Sequence, residues 1–137
     1  MRRGMERRMK SEKCVVDDVA AIIARLPMTM PGRHYTTSMV EGEIIDRESR
    51  EGLEFMINSG LITIVEAPKV ELNISKRLLS KLSKADVSLL DLALKLREEC
   101  EEVHIATDDY ALQEAAVKLG VKIIPVRYRG ARIVRKG

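Results

Sequence analysis

Two pairs of adjacent aspartates stand where an apolar segment gives way to a helical pattern. Asp17 and Asp18 follow a Cys-Val-Val run, and Asp108 and Asp109 follow an Ile-Ala-Thr run. In open parallel sheets, ligands bind in the crevice at the carboxyl ends of the strands, where such junctions meet. Aspartate is also a common helix N-cap, so each pair alone could be purely structural. The repetition of the pair at two equivalent junctions favours a shared site.

Two further carboxylates are candidates for the same crevice. Glu43 lies one turn into the helix predicted after the second strand, where a solvated helix face is the alternative. Asp86 is three residues after Ser83, where it would also fit a capping box. Carboxylates crowded into one cleft repel each other unless cations are present. Mg²⁺ or Mn²⁺ would suit such oxygen ligands and could activate water to attack a phosphodiester.

The histidines and cysteines offer little chemistry by their spacing. Neither His34 nor His104 stands where a general base is expected, so we interpret both as ordinary histidines near strand ends. Cys14 and Cys100 form no CxxC motif and have no histidine at ligand spacing, which disfavours a structural zinc site. We expect two free thiols in a reducing cytosol rather than a disulfide.

The charge distribution points to a polyanionic partner. The chain has 137 residues, enough for one domain, with 24 basic and 21 acidic residues. The first ten residues carry five Lys or Arg and one Glu, and the last eleven carry five and no acid. Basic ends would attract a phosphate backbone, although solvated termini are the alternative. The candidate nucleic-acid-binding residues are Arg127, Arg129, Arg132 and Arg135.

No apolar run approaches the length of a membrane span, and no signal-peptide pattern opens the chain. We therefore expect a cytoplasmic protein without a membrane partner.

Short apolar runs alternate with helical segments, which predicts an α/β domain with a central parallel sheet of strand order 3-2-1-4-5. The domain should span residues 13–124, between a basic extension at 1–12 and a basic tail at 125–137 that could form a hairpin. The predicted strands are 13–16, 34–36, 61–65, 103–107 and 121–124. The predicted helices are 18–26, one capped by Ser38, 47–58, 68–82, one opened by Ser83, and one capped by Asp108 or Asp109.

Four segments resemble the successive motifs of PIN-domain ribonucleases: CVVDD, TTSMVEGEI, LSKADVSLLDLAL and IATDDYALQEAAVKLGVKI. The resemblance is strongest to the branch containing the endonuclease that matures the 3′ end of small-subunit ribosomal RNA. It implies a three-layer α/β/α fold and RNA cleavage that depends on Mg²⁺ or Mn²⁺. The metal ligands that it implies are Asp17, Glu43, Asp86 and Asp108, with Asp109 as an auxiliary metal group and Thr107 as an orienting hydroxyl.

The sequence departs from the family pattern in two ways. Asp18 stands where Thr or Ser usually follows the first aspartate, which adds charge near the metal. The zinc ribbon common in the ribosomal RNA branch is missing, which leaves open a stand-alone nuclease similar to the VapC toxins of toxin–antitoxin pairs. The implied partners are RNA, a ribosomal or antitoxin protein, and a second copy of the chain in a homodimer.

Two other functions are compatible with parts of this pattern. One is a non-catalytic PIN-like module that binds RNA or the ribosome through its basic ends. The other is a phosphate-accepting receiver domain, which would need an aspartate at the end of the third strand. Glu66 occupies that neighbourhood, so the receiver hypothesis is disfavoured.

Overall fold

A parallel sheet forms the centre of the molecule. The computed structural model describes residues 11–126, with side chains from residue 13 onward. Within that range the sheet has five strands in the order β3-β2-β1-β4-β5, and every neighbouring pair is parallel. The predicted α/β class and strand order are therefore confirmed. The strands are β1 Ser11–Asp17, β2 Arg33–Thr36, β3 Ile62–Ile64, β4 Cys100–Ala106 and β5 Lys122–Ile124.

Strand β1 lies between β2 and β4, with Val15 opposite His34 on one side and His104 on the other. It is buried on both faces, as expected for the central strand of a sheet covered by helices. Cys14 and Val16 belong to the larger apolar cluster, whereas Val15 belongs to a smaller cluster. The alternation of side chains along a strand accounts for this division, because Val15 points to the opposite face of the sheet from Cys14 and Val16.

The helices connect successive strands, and the longer ones pack against the sheet. In the longest, Leu89, Leu92 and Leu96 are buried at helical spacing. The helices are α1 Val19–Ile23, α2 Ser38–Glu41, α3 Arg47–Asn58, α4 Lys76–Leu79, α5 Lys84–Leu96 and α6 Tyr110–Lys118, with a 3-10 turn at Leu26–Met28. Among residues 11–126, no helix is long and apolar enough to cross a membrane.

Two predicted helices are shorter than expected. The helix predicted for 18–26 ends at Ile23, because Arg25 adopts the left-handed conformation with φ 56° and Pro27 begins a 3-10 turn. The helix predicted for 68–82 is reduced to Lys76–Leu79. Before it, Leu72 and Ile74 are half-buried while the residues on either side of each are exposed, a period of two that suits an extended chain.

The cysteine prediction is wrong, because Cys14 and Cys100 form a disulfide with a Cα–Cα distance of 6.1 Å. The two residues are 86 positions apart in sequence and meet because β1 and β4 are neighbouring strands. Spacing and cellular compartment carry no information on this proximity, although the predicted strand order already made β1 and β4 neighbours.

Several predictions concern residues whose structure is not described. The RNA-binding candidates Arg127, Arg129, Arg132 and Arg135 and the tail hairpin lie outside the described residues, as does most of the basic extension at 1–12. The proposed limits of the domain therefore stay a prediction.

The disulfide should contribute to stability. Closing a long loop removes conformational entropy from the unfolded chain, so reduction should lower the free energy of unfolding by about 2–4 kcal/mol. Urea denaturation with and without a reductant measures this difference. A Cys14→Ala/Cys100→Ala variant serves as the control, and its unfolding midpoint should not respond to reductant. An equal response in both proteins would contradict the prediction.

Candidate functional site

An acidic cleft of about 370 Å³ opens at the carboxyl ends of β1 and β4. Its walls include four carboxylates that come from four different segments: Asp18, Glu43, Asp86 and Asp109. Lys81 is the basic residue among the described residues that line it. The cleft therefore collects negative charge at the position where open parallel sheets bind their ligands.

Three of these carboxylates are held in place by capping helix N-termini. Asp18 accepts a hydrogen bond from the Ala21 N–H of α1 at 2.9 Å, and Asp109 accepts one from the Leu112 N–H of α6 at 3.0 Å. Asp86 accepts from the Ser83 N–H at 3.0 Å in a reciprocal capping box. Each of these carboxylates can therefore accept a backbone hydrogen bond at a helix N-terminus and line the cleft at the same time.

Glu43 reaches the cleft from the turn after α2. Its neighbour Glu41 has a different partner, since Arg50 donates to the Glu41 carboxylate at 2.8 Å. Glu43 is exposed. Of the two glutamates near α2, only Glu43 is therefore among the residues that line the cleft.

Asp17 lies behind the cleft wall and is completely buried. Its Oδ2 is 2.6 Å from Nδ1 of His34, and Nε2 of His34 is 2.9 Å from the carbonyl oxygen of Met30. Thr36 also donates its hydroxyl to the Asp17 carbonyl at 2.7 Å. Within the described part of the chain, no hydrogen-bond donor reaches Asp17 Oδ1.

Burial dominates the electrostatics of both aspartates at the end of β1. It raises the pKa of Asp17 to about 6, although the hydrogen bond and charge of His34 act in the opposite direction. Burial also raises the pKa of Asp18, opposed by hydrogen bonds from Thr107 and from the Ala21 N–H, while the charge of Asp108 raises it further. Both carboxylates would be more easily ionised next to a cation.

Burial alone would lower the pKa of His34, but the hydrogen bond and charge of Asp17 outweigh it and the pKa is raised. A bond to the Met30 carbonyl contributes in the same direction, whereas the charge of Lys13 opposes it. A protonated His34 can donate to both Asp17 and Met30, which accounts for its fixed position.

Thr107 connects the two acidic junctions. It is fully buried, and its hydroxyl oxygen accepts the Asp109 N–H at 3.0 Å. The same hydroxyl also lowers the pKa of Asp18, so it lies close to an acidic side chain of the cleft. Gln113 donates its side-chain amide to the Thr107 carbonyl at 2.9 Å and fixes this turn from α6.

Three residues of the predicted metal set line the cleft: Glu43, Asp86 and the auxiliary Asp109. Asp17 and Asp108 are not among the described residues that line it, and Asp18, predicted to lie near the metal, is. Asp17 turns to His34 instead, because successive side chains of a strand end point in opposite directions. Asp108 is close enough for its charge to raise the pKa of Asp18.

The donor set fits a hydrated Mg²⁺ or Mn²⁺. Within residues 13–126, no three Asp, Glu, His or Cys side chains form a group that could hold a metal by themselves. Mg²⁺ does not require one, because it usually keeps several waters and binds one or two carboxylates together with substrate phosphates. Four carboxylates around one cleft, beside a buried Asp17 oxygen without a donor, match that mode of binding.

His34 is the site residue whose importance the sequence interpretation missed. The sequence predicts an ordinary histidine near a strand end, whereas the structure shows His34 bound to the buried carboxylate of Asp17. The contact depends on β1 and β2 being adjacent, with His34 opposite Val15. The only signal in the sequence was that a histidine occurs within the short second strand.

Two curated proteins are similar to the chain over most of its length. Ribonuclease VapC3 of Aeropyrum pernix is 36% identical over 125 residues, which cover 87% of this chain and 90% of the relative. Endoribonuclease Nob1 of Pyrococcus abyssi is 38% identical over 108 residues, which cover 74% of this chain and 63% of the relative. No family model matches the chain.

The Asp17–His34 contact should be strongly coupled. Asp17→Asn, His34→Gln and the double variant form a double-mutant cycle, and we expect a coupling free energy of at least about 1 kcal/mol because the pair is buried. Urea denaturation of the four proteins measures it. The matched control is a cycle on Arg47 and Glu51, an exposed pair one helical turn apart, where no measurable coupling is expected. Equal coupling free energies in the two cycles would contradict the prediction that His34 and Asp17 stabilise each other.

Proposed function

Because this chain belongs to the PIN-domain ribonuclease family, we propose that it is an endoribonuclease that hydrolyses RNA phosphodiester bonds with Mg²⁺ or Mn²⁺ at the acidic cleft. The observation that carries the proposal is that four carboxylates from four separate segments line one cleft at the carboxyl ends of β1 and β4. The names of the two relatives support the ribonuclease activity, and the cleft supports the metal dependence.

The proposed ligands are Asp18, Glu43, Asp86 and Asp109, which line the cleft. Asp17 and Asp108, which the resemblance implied as ligands, are not among the described residues that line it. A bound cation would supply a water of lowered pKa and would neutralise charge on the phosphate. Asp18 and Asp109 hold their side of the cleft in place, because each accepts a hydrogen bond from the first turn of a helix.

Asp86 and Glu43 form the facing side of the cleft. Without a cation, the four carboxylates would repel a phosphate that enters the cleft, so binding of the cleaved phosphate would depend on the metal. Lys81 at the cleft is placed to contact a phosphate beside the cleaved bond. The basic residues of the tail, Arg127, Arg129, Arg132 and Arg135, would extend this contact along the RNA.

The biological role and protein partners stay predictions. Ribosomal RNA maturation and a toxin-like activity both suit an endoribonuclease, and an antitoxin-like reading frame beside this gene would favour the second. A ribosomal or antitoxin partner and a homodimer were predicted with these roles, and light scattering of the purified chain would test the homodimer. A non-catalytic RNA-binding module is the alternative if RNA binds but is not cleaved.

Neutralising a ligand should abolish cleavage without unfolding the protein. Asparagine caps helices about as well as aspartate, so Asp18→Asn and Asp109→Asn keep the cap and remove only the charge. We expect each change to slow cleavage at least about 100-fold, equivalent to roughly 3 kcal/mol of transition-state stabilisation. Cleavage of a labelled RNA with Mn²⁺ measures the rate.

Glu114→Gln is the matched control, because Glu114 is an exposed acid of α6 that does not line the cleft. It should cleave at the rate of the unchanged chain. If the three variants cleave alike, the proposed ligand set is wrong.

Metal binding can be tested without activity. Calorimetric titration of the chelator-treated chain with Mn²⁺ should show binding that is lost in a combined Asp18→Asn/Asp109→Asn variant, because both removed charges belong to one cleft. Undiminished binding in that variant would place the metal elsewhere. RNA binding with no metal affinity would support the non-catalytic module.

A further inference from the structure

A second cavity lies beside the acidic cleft, and we call it the side cavity. Its volume is about 540 Å³, which is ordinary for a small-molecule site. Ser83, the N-cap of α5, lines both spaces. The two sites are therefore neighbours, separated by the first turn of α5.

Helices α5 and α2 separate the side cavity from the cleft, because each of them lines both spaces. Lys84, Val87, Ser88 and Asp91 of α5 line the side cavity, at the spacing of one helix face. The adjacent face of α5, which includes Asp86, lines the acidic cleft.

Helix α2 is divided in the same way, with Ser38 and Met39 on the side cavity and Val40 on the cleft. An RNA strand bound in the cleft could therefore place a neighbouring nucleotide in the side cavity by passing over Ser83.

The walls of the side cavity suit a flat aromatic ring. Met39, Leu79, Leu82 and Val87 supply apolar surface, and Met39 and Leu79 are partly exposed at 47% and 40%. Apolar side chains can pack against both faces of a base, and the polarisable sulfur of Met adapts to such a ring. Exposed apolar groups of this kind in a concave site are a usual feature of a ligand pocket.

The polar groups of the side cavity can read the edge of that ring. Asp91 is 5% exposed, and within the described residues its hydrogen bond is from the Val70 N–H to Oδ1 at 3.2 Å. Its carboxylate can accept a further donor at Oδ2. Thr37 and Ser88 share a hydrogen bond at 2.8 Å between their hydroxyl oxygens, and Ser88 donates to the Ala85 carbonyl at 2.7 Å.

Two lysines complete the site. Lys69 and Lys84 both line the side cavity and are exposed, so they can contact phosphates on either side of an inserted base. The side cavity combines apolar walls, a buried hydrogen-bond acceptor and basic residues, which together are complementary to a nucleotide. An acidic peptide fits less well, because its carboxylates would be repelled by Asp91. A lipid fits less well, because it would leave the buried carboxylate without a partner.

We propose that the side cavity binds one nucleobase of the substrate RNA next to the cleaved bond, and that it prefers bases with an exocyclic amino group over uracil. The preference follows from Asp91, because a carboxylate accepts from an amino group, whereas uracil presents carbonyl oxygens at those positions. The proposal rests on the endoribonuclease function for the identity of its ligand. Asp91, Val87 and Met39 would then determine where the enzyme cuts.

Nucleotide binding tests this site independently of cleavage. The full chain in chelator is titrated with AMP, CMP, GMP and UMP, and amide NMR shifts are followed. We expect shifts centred on residues 37–39, 66–69 and 84–91, and UMP binding at least about fivefold weaker than the tightest of the other three. Asp91→Asn should remove this discrimination. Shifts confined to the acidic cleft, or none at all, would overturn the proposal.

Blocking the side cavity gives a second measurement. Val87→Phe should weaken binding of the preferred nucleotide about tenfold, because the phenyl ring occupies space in the side cavity that the base would need. Val117→Phe, on the exposed face of α6, is the matched control and should bind as the unchanged chain does. Met39→Glu replaces Val87→Phe if the latter fails to fold, since Met39 is half exposed. Unchanged affinity in a folded blocking variant would overturn the proposal.

Cleavage of matched RNAs that differ at one base separates this proposal from the proposed function. If RNA is cleaved and Asp91→Asn leaves the base preference unchanged, the side cavity proposal fails and the endoribonuclease stands. If nucleotides bind the side cavity but no RNA is cleaved, the base site stands and the endoribonuclease fails.

Discussion

The parallel pairing of β1 with β4 fixes where the acidic side chains of the cleft can lie. The pairing of β1 with β4 continues beyond the strands, since the Asp18 N–H donates to the Ala106 carbonyl. This bond holds the two strand-to-helix junctions at the same level of the sheet. Because of that alignment, Thr107 can bind the Asp109 N–H and also lower the pKa of Asp18. The metal site proposed here is therefore a consequence of strand order more than of any local motif.

The acids of the cleft have two functions in the structure. Asp18, Asp86 and Asp109 each cap a helix and each line the cleft, so the peptide dipoles of three helix N-termini partly offset their mutual repulsion. This compensation explains how an acidic cleft can exist in the folded chain without a cation. It also explains why the structural and functional interpretations of these residues could not be separated from the sequence.

The sequence predicted the fold better than it predicted the details of the site. Alternating apolar runs and helical segments were enough for the five strands of a parallel sheet, because that pattern is repeated along the whole chain. The order 3-2-1-4-5 is a common one for doubly wound sheets. Which of Asp17 and Asp18 lines the cleft depends on the direction of their side chains at the end of β1. A shift of one residue along the strand would exchange the two.

Contacts between distant segments could not be predicted for a related reason. The Asp17–His34 contact needs the register of β1 against β2. The Cys14–Cys100 disulfide joins two neighbouring strands at positions that are not directly opposite each other, since Cys14 pairs with Val103. The segment before α4, predicted as part of the helix 68–82, is extended. Its Val70 N–H donates to the Asp91 carboxylate, a tertiary contact that no local pattern encodes.

The disulfide has a consequence for recovery of the cleft after partial opening. Cys14 lies three residues before Asp17, and Cys100 begins the strand that leads to Thr107. When outer helices open through local fluctuations, a covalent link between β1 and β4 limits how far the two acidic junctions can separate. The junctions can then realign without a new search across a long loop of chain. In the oxidised protein, the carboxylates of the cleft would therefore stay close together during local opening.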